Sequence, residues 1–101
     1  MFKNDMRPVH PGEILKEEYL EPLGLTAAAL ARALHVSAPT VNDIVLMRRS
    51  VSADVALRLA AALDTSAQFW LNLQTAYDLR TAEIAKGEQI HKEVERIPHC
   101  A

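Results

Sequence analysis

The sequence has little cysteine and no long apolar run. Its single cysteine among 101 residues is Cys100, so no disulfide can form within these residues, and nothing in the composition indicates an oxidising compartment. No apolar stretch approaches the roughly 20 residues that a membrane-spanning helix needs. The opening segment, MFKNDMRPVH, lacks the apolar core of a signal peptide. We therefore expect a cytoplasmic protein that is not embedded in a membrane.

Catalytic and metal-binding patterns are also absent. The sequence has only three glycines and no glycine-rich phosphate loop, and it contains no H-E-x-x-H, C-x-x-C or G-x-S-x-G pattern. The nearest approach to a ligand set is His91 with His99 and Cys100, and their spacing matches no common metal-ligand geometry. We therefore expect a protein that is not an enzyme and that binds no metal and no cofactor.

Alanine and leucine, which favour helices, are abundant. Apolar residues make up 50% of the chain and charged residues 24%, as is typical of a folded globular protein rather than a disordered one. The thirteen leucines are expected to supply much of the core. The length suits one domain, so we predict a single all-α domain over residues 1–101.

The charge is unevenly distributed along the chain. The net charge is −2, but residues 26–58 carry four arginines against two aspartates and are therefore positive, at +2, while the segments on either side are each negative. A basic strip in an acidic protein can bind DNA and orient it, because the rest of the surface repels the phosphates. The alternative is a solvated surface with no such role.

Start and stop signals divide the chain into five predicted helices. Pro11 begins the first helix, and Pro22 with Gly24 ends it. Four further helices are predicted to begin at the N-cap residues Thr26, Ser37, Ser52 and Ser66. The last of these is predicted to be long and to end before Gly87, which leaves a mobile tail at about residues 88–101. The alternative is that the tail continues as a short helix, which Pro98 ends, so that only its tip is mobile.

The segment LARALHVSAPTVNDIV, residues 30–45, has the packing pattern of a helix-turn-helix. Two steeply crossing helices need a small residue where they meet, and Ala31 occupies that position. The inward positions are apolar, namely Leu30, Leu34, Val36, Val41 and Ile44. The first helix ends on His35, where glycine with positive φ is usual and histidine is tolerated at a cost of about 1 kcal/mol. We predict a helix-turn-helix at about residues 27–46; the alternative is a helix pair that only packs.

A family resemblance extends from about His10 to Leu79. It is carried by HPGEIL, EPLGLT, LARAL, VSAPTVNDI and SADVALRLAAALDTSAQFWLNLQTAYDL, with FWLNLQ and YDL as its most specific part. These motifs resemble the HigA family of antitoxins, a branch of the Cro/repressor-type (XRE) helix-turn-helix proteins. The resemblance implies a five-helix Cro/lambda-repressor-like fold with a long C-terminal helix.

The same resemblance implies two partners. One is a HigB-like toxin, an RNase that cleaves messenger RNA at the ribosome and that the antitoxin neutralises. The other is double-stranded DNA at the chain's own operator, which the antitoxin represses as a homodimer. Two alternatives stay open: a free-standing helix-turn-helix regulator without a toxin, and a protein-binding module with weak DNA recognition.

By the resemblance, the recognition helix covers residues 37–46. Its exposed face is expected to carry Ser37, Ala38, Pro39, Thr40, Asn42 and Asp43. Asn42 can pair with adenine, Thr40 can meet a thymine methyl group or a phosphate, and Asp43 can accept from cytosine. Ala38 and Pro39 cannot hydrogen-bond a base, and each missing bidentate contact forfeits about 1 to 3 kcal/mol of discrimination. Base reading is therefore expected to be sparse. The start of the preceding helix has Ala27 and Ala28 where relatives hold a phosphate with a polar residue, so affinity is expected to be reduced as well.

The segment RRSVS follows the recognition helix and is expected to compensate. Arg48 and Arg49, with Ser50 and Ser52 beside them, are predicted to lie along the phosphate backbone. Such contacts give sequence-independent, salt-sensitive affinity and set the register of the protein on DNA. The alternative is a solvated loop.

The segment FWLNLQTAYDL contains an aromatic stripe formed by Phe69, Trp70, Leu73 and Tyr77. A stripe with helical spacing is usually core, but part of it is a candidate dimer or partner interface. The amphipathic segment 84–97 is a second candidate for contact with a second copy or the toxin. A two-fold dimer would place two recognition helices ~34 Å apart, one turn of DNA.

Overall fold

A computed structural model describes residues 7–98, and over this range the chain is all-helical, with five helices. The predicted all-α class is therefore confirmed. Residues His99 and Cys100, which belonged to the discounted metal cluster, lie outside the described range. Within that range, no helix is long and apolar enough to cross a membrane.

Helix α1 covers residues 11–23 and changes its winding along its length. It has an α-helical turn at Pro11–Ile14, a π-helical segment at Leu15–Leu20 and a last α-helical turn at Glu21–Leu23. The i→i+5 register of the π segment places Leu15 and Leu20 on one side of the helix, and both are buried. The helix ends at Gly24, whose φ is 66°, as the glycine signal predicts.

The other helices are α2 at Ala27–Leu34, α3 at Ala38–Val45, α4 at Ala53–Leu63 and α5 at Ala67–Glu93. Three of the predicted N-caps form as expected: Thr26 accepts from the backbone N–H of Ala29, Ser52 from Val55 and Ser66 from Phe69. Each cap satisfies a donor that the first turn would otherwise leave without a partner.

Ser37 stands at the N-cap of α3 but does not use its hydroxyl as a cap. The hydroxyl pairs with Oγ1 of Thr40 at 2.8 Å, and the backbone N–H of Thr40 donates to the carbonyl of Ser37 at 3.0 Å. The N–H of Thr40, which stands where the other three caps find their donor, bonds the carbonyl of Ser37 instead, and the hydroxyl pairs with the Thr40 side chain.

The core lies between α1, α2, α3, α4 and the first half of α5. Its largest fully buried side chains are Trp70, Leu15, Leu30, Ile44, Leu59, Val41 and Pro11. The expectation that leucines supply the core is only partly right, because five of the leucines are exposed on the surface: Leu23, Leu25, Leu46, Leu57 and Leu79.

Helix α5 continues beyond its predicted end. It runs through Gly87 without a break and ends at Glu93, so the predicted end before Gly87 is wrong and the start of the tail is helical, as the alternative had it. A single glycine inside a helix costs only about 1 kcal/mol relative to alanine, and here it does not stop the helix. Beyond it, the amide of Gln89 donates to the carboxylate of Glu93 at 2.9 Å, one turn further on.

Candidate nucleic-acid interface

Helices α2 and α3 form the predicted helix-turn-helix. Ala31 is buried at their crossing, and the inward residues Leu30, Leu34, Val41 and Ile44 are buried with it. The turn passes through His35 at φ 60°, and the N–H of Val36 donates to the carbonyl of Ala31 at 3.0 Å. The left-handed residue and this hydrogen bond satisfy the last carbonyls of α2, so histidine performs the role that glycine usually has.

The outward face of α3 carries all six residues that the sequence assigned to it. Ser37, Ala38, Pro39 and Asn42 are exposed, while Thr40 and Asp43 are half-buried. The amide of Asn42 forms no hydrogen bond with another described residue, so its donor and acceptor both remain available to a base.

A shallow apolar concavity lies between the first turns of α2 and α3. Its volume is about 270 Å³, and it is lined by Ala27, Ala28, Ala38, Pro39, Asn42 and Asp43. The two helix starts therefore form a continuous surface in which the outward face of α3 is the larger part.

Arg48 and Arg49 are both drawn towards Asp43. Nη2 of Arg48 lies 3.1 Å from Oδ1 of Asp43, and Nη2 of Arg49 lies 3.9 Å from Oδ2. The arginine side chains are still 64% and 48% exposed, so their guanidinium groups can reach phosphates. Asp43, which the sequence assigned to cytosine, has its two oxygens engaged by cations in the free protein.

The loop that carries these arginines is bonded to helix α5. The backbone N–H of buried Val51 donates to Oε1 of Gln74 on α5 at 2.8 Å, and the amide of Gln74 donates to Asp78 at 2.9 Å. On the other side, the backbone of Arg49 lies near the imidazole of His10. Ser50 and Ser52 stay exposed, as the two arginines do. Within the RRSVS segment, Val51 is therefore tied to α5 while its four neighbours face the solvent.

Sequence reasoning missed Gln74 and His10. Gln74 is 6% exposed on the inner side of α5. The available signal in the sequence was a polar residue on the side of the helix whose other residues are apolar. His10 was passed over as one of four scattered histidines. It is buried, its Nδ1 caps α1 by accepting from the N–H of Gly12 at 2.9 Å, and its ring meets the edge of Tyr77.

The aromatic stripe on α5 is mostly an internal feature. Trp70 is 0% exposed, and its indole N–H donates to the hydroxyl of Thr65 at 2.8 Å. Its prediction as an interface residue is therefore wrong: the ring fills the core of its own chain. Leu73 and Tyr77 are half-buried, and only Phe69 shows appreciable surface. Further along, exposed apolar residues continue on α5 and just beyond it: Leu79, Ile84, Ile90, Val94 and Ile97.

Among the residues that the structure describes, no group of three or more histidine, cysteine, aspartate or glutamate side chains is placed to hold a metal ion.

We predict that acid weakens the fold through His10. Burial lowers the pKa of His10 below its usual value, and the charge of Asp78 and the hydrogen bond to Arg49 oppose this only in part. Because the unfolded chain takes up the proton first, stability is fully present above about pH 6.5, the usual pKa of histidine, and is lost as the pH falls through the lower pKa of the fold. Protonation also turns Nδ1 into a donor that faces the N–H of Gly12.

Urea unfolding at about pH 7.5 and pH 5.5, on either side of the usual histidine pKa, measures this effect. The control is His10→Asn, which keeps a good N-cap but does not titrate. The wild-type chain should lose stability between the two pH values and the variant should lose less. Equal losses in both proteins would show that another group is responsible.

The sequence profile of the helix-turn-helix family matches residues 16–70, more than half of the chain. Among curated relatives, virulence-associated protein I of Dichelobacter nodosus is 59% identical over 80% of this chain and 75% of its own length. Antitoxin HigA-1 of Vibrio cholerae is 48% identical over 78% of this chain and 74% of its own length.

Solved structures share the fold closely. Antitoxin GraA superposes with a TM-score of 0.90 at 61% identity, covering 91% of this chain and 99% of that protein. The structure of Pseudomonas aeruginosa antitoxin HigA with the higBA promoter superposes with a TM-score of 0.88 at 59% identity, covering 91% of this chain and 100% of that one. With this identity over nearly the whole fold, the chain belongs to the helix-turn-helix family, in its HigA-type antitoxin branch.

Proposed function

We propose that this chain is an antitoxin that binds its own operator as a homodimer, represses its operon and neutralises a HigB-like mRNA-cleaving toxin. It works in the cytoplasm by binding alone, without catalysis and without a metal or cofactor. The observation that carries the proposal is the match, at 59% identity over 91% of the chain, to an antitoxin whose structure includes its promoter. The exposed face of α3 and the RRSVS loop, with Arg48 and Arg49, offer a surface for the same kind of DNA contact in this chain.

Two sets of side chains share the proposed DNA binding: one contacts base edges and the other contacts phosphates. Thr40 and Asn42, on the outward face of α3, are the side chains that reach base edges in the major groove. Arg48 and Arg49 hold the phosphate backbone, and Ser50 lies beside them. The net positive charge of residues 26–58 orients this face towards DNA, since both flanking segments are negative.

The toxin and the second copy of the chain require surfaces away from α3. Helix α5 supplies one, because its 27 residues extend for about 40 Å and its distal half keeps apolar side chains exposed. We assign the segment 84–97 to partner contact, and within the aromatic stripe only Phe69 retains enough surface to contribute. Apolar side chains on a water-facing helix lower the solubility of the protein. A bound partner that covers them removes this cost.

Two experiments test the proposal. First, the tagged chain is co-expressed with the product of the adjacent gene, and recovery of a stoichiometric complex that suppresses the growth defect of that product is expected. No complex, together with selective promoter binding, would favour a regulator without a toxin. Second, binding to the upstream region and to random DNA is measured across salt. Equal affinity for both, together with a complex, would favour a protein-binding module.

We predict that Asp43→Asn strengthens binding to random DNA. The substitution removes a negative charge from the DNA-facing surface and releases Arg48 and Arg49 from their ion pairs. One net positive charge near the phosphates raises affinity by roughly 5-fold at 0.15 M salt. Fluorescence anisotropy with a random duplex measures the change, and Asp54→Asn, which removes the same charge on α4, is the matched control. Unchanged affinity in Asp43→Asn would mean that the arginines do not reach phosphates.

A further inference from the structure

The concavity between the first turns of α2 and α3 has a distinctive chemistry. Four of its six lining residues are apolar, and they come from both helices: Ala27, Ala28, Ala38 and Pro39. The alanine side chains offer no donor or acceptor, and Pro39 lacks even a backbone N–H. A polar group pressed against these side chains would lose its hydrogen bonds to water and gain none from the side chains in return.

The nearby hydroxyl groups reinforce this apolar character. Ser37 and Thr40 hydrogen-bond each other at 2.8 Å, which uses one of their two hydroxyl protons, and neither side chain lines the concavity. At one rim of the concavity, both oxygens of Asp43 are engaged by Arg48 and Arg49. The remaining polar rim group, the amide of Asn42, has no partner among the described residues.

Only one group on a base-pair edge suits such a floor. In the major groove each base pair presents donors and acceptors, and the 5-methyl group of thymine is the apolar exception. The concavity is shallow and open, so a methyl group can lie against its floor while the rest of the base stays outside.

We propose that this concavity is a thymine-reading site: it receives the 5-methyl group of an operator thymine, while Asn42 at its rim reads an adjacent base. The proposal rests on the proposed operator binding and names a feature of the DNA that it recognises. Arg48 and Arg49 lie next to the same rim through Asp43, so phosphate contacts bring the groove to this surface. Ala38 and Pro39 thus discriminate by apolar contact where hydrogen bonding is impossible.

Replacing thymine with deoxyuridine tests the site, since it removes only the methyl group. The region upstream of the gene is footprinted with the full chain, and each protected thymine is then replaced singly by deoxyuridine. Affinity should fall by about 4-fold at the contacted thymine of each half-site, the effect expected for one buried methyl group. Protected thymines elsewhere in the footprint should show little change and serve as internal controls.

A variant pair locates the effect on the protein. Ala38→Ser places a hydroxyl in the concavity, and its preference for thymine over uracil should shrink to less than about 2-fold. Ala33→Ser makes the same chemical change on an exposed position of α2 outside this concavity and should keep the full preference. If Ala38→Ser fails to fold, the deoxyuridine series on the wild-type chain decides the question alone.

The outcomes separate the two proposals. Selective operator binding with no thymine sensitive to methyl removal would overturn the thymine-reading site and leave operator binding intact. No preference for the upstream region over random DNA would overturn operator binding itself. If Ala38→Ser weakens capture of the toxin and leaves the thymine preference unchanged, the concavity receives a protein side chain, and the thymine-reading site is again overturned.

Discussion

Replacing Gly12 with alanine is expected to lower the free energy of unfolding by about 3 kcal/mol, which corresponds to a fall in Tm of roughly 15 °C for a domain of this size. A Cβ at this position would clash with the backbone carbonyl oxygen of Ile44 and would lie only 2.7 Å from the carbonyl carbon. A backbone carbonyl cannot rotate aside as a side chain can. The first turn of α1 must therefore move away from α3, and the cap that His10 makes moves with it.

Two other glycines supply matched controls. Gly87→Ala adds the same methyl group where the nearest atom, Cβ of Glu83, is 3.9 Å away, so stability should hold or rise slightly. Gly24→Ala meets no neighbouring atom but must keep a φ of 66°, at a cost of about 1 kcal/mol. Thermal and urea unfolding of the three variants rank these effects. A loss of less than about 1 kcal/mol in Gly12→Ala would show that α1 adapts to the added atom.

Removing both loop arginines is expected to give the largest loss of DNA binding. In Arg48→Ala/Arg49→Ala, operator affinity at 0.15 M salt should fall by roughly 10- to 40-fold per chain, and the slope of log affinity against log salt should become shallower by about 1 to 2. The loop itself should keep its shape, because the backbone N–H of Val51 is bound by Gln74 and the arginine side chains take no part in that bond.

The control for this variant is Arg7→Ala/Lys16→Ala. It removes the same two positive charges from exposed positions before and within α1, to which no DNA or partner contact is assigned, so it separates a local contact from a change in net charge. Operator titrations over a range of salt concentrations measure both variants. Similar losses of affinity in the two proteins would mean that net charge, and not the loop, governs binding. The ratio of operator to random affinity should change little in the arginine variant, since phosphate contacts carry no direct sequence information.

Local signals in the sequence accounted for most of the fold. The caps at Thr26, Ser52 and Ser66, the left-handed turn at His35 and the apolar positions around Ala31 depend on residues within a few positions of each other. Such short-range patterns can be read without tertiary information. The placement of the outward face of α3 followed directly from them.

The features that the sequence did not reveal depend on distant contacts. Gln74 supports a loop 23 residues earlier in the chain, and Gly12 is required by a backbone that belongs to α3. Trp70 was read as a possible interface residue because spacing does not say what covers a helix face. The end of α5 was misplaced because one glycine is a weak stop signal when the residues after it still favour a helix.

The ion pairs of Asp43 bear on how the chain would release DNA. In the free protein Arg48 and Arg49 already have an acidic neighbour. If the two arginines hold phosphates as proposed, DNA must compete with this tethered carboxylate as well as with dissolved salt, and the affinity for an arbitrary stretch of duplex is correspondingly lower. A repressor that must search a genome with ~10⁶ or more competing sites gains from this, because it leaves each wrong site sooner. Under the proposed DNA binding, Asp43 thus favours search speed at the expense of affinity.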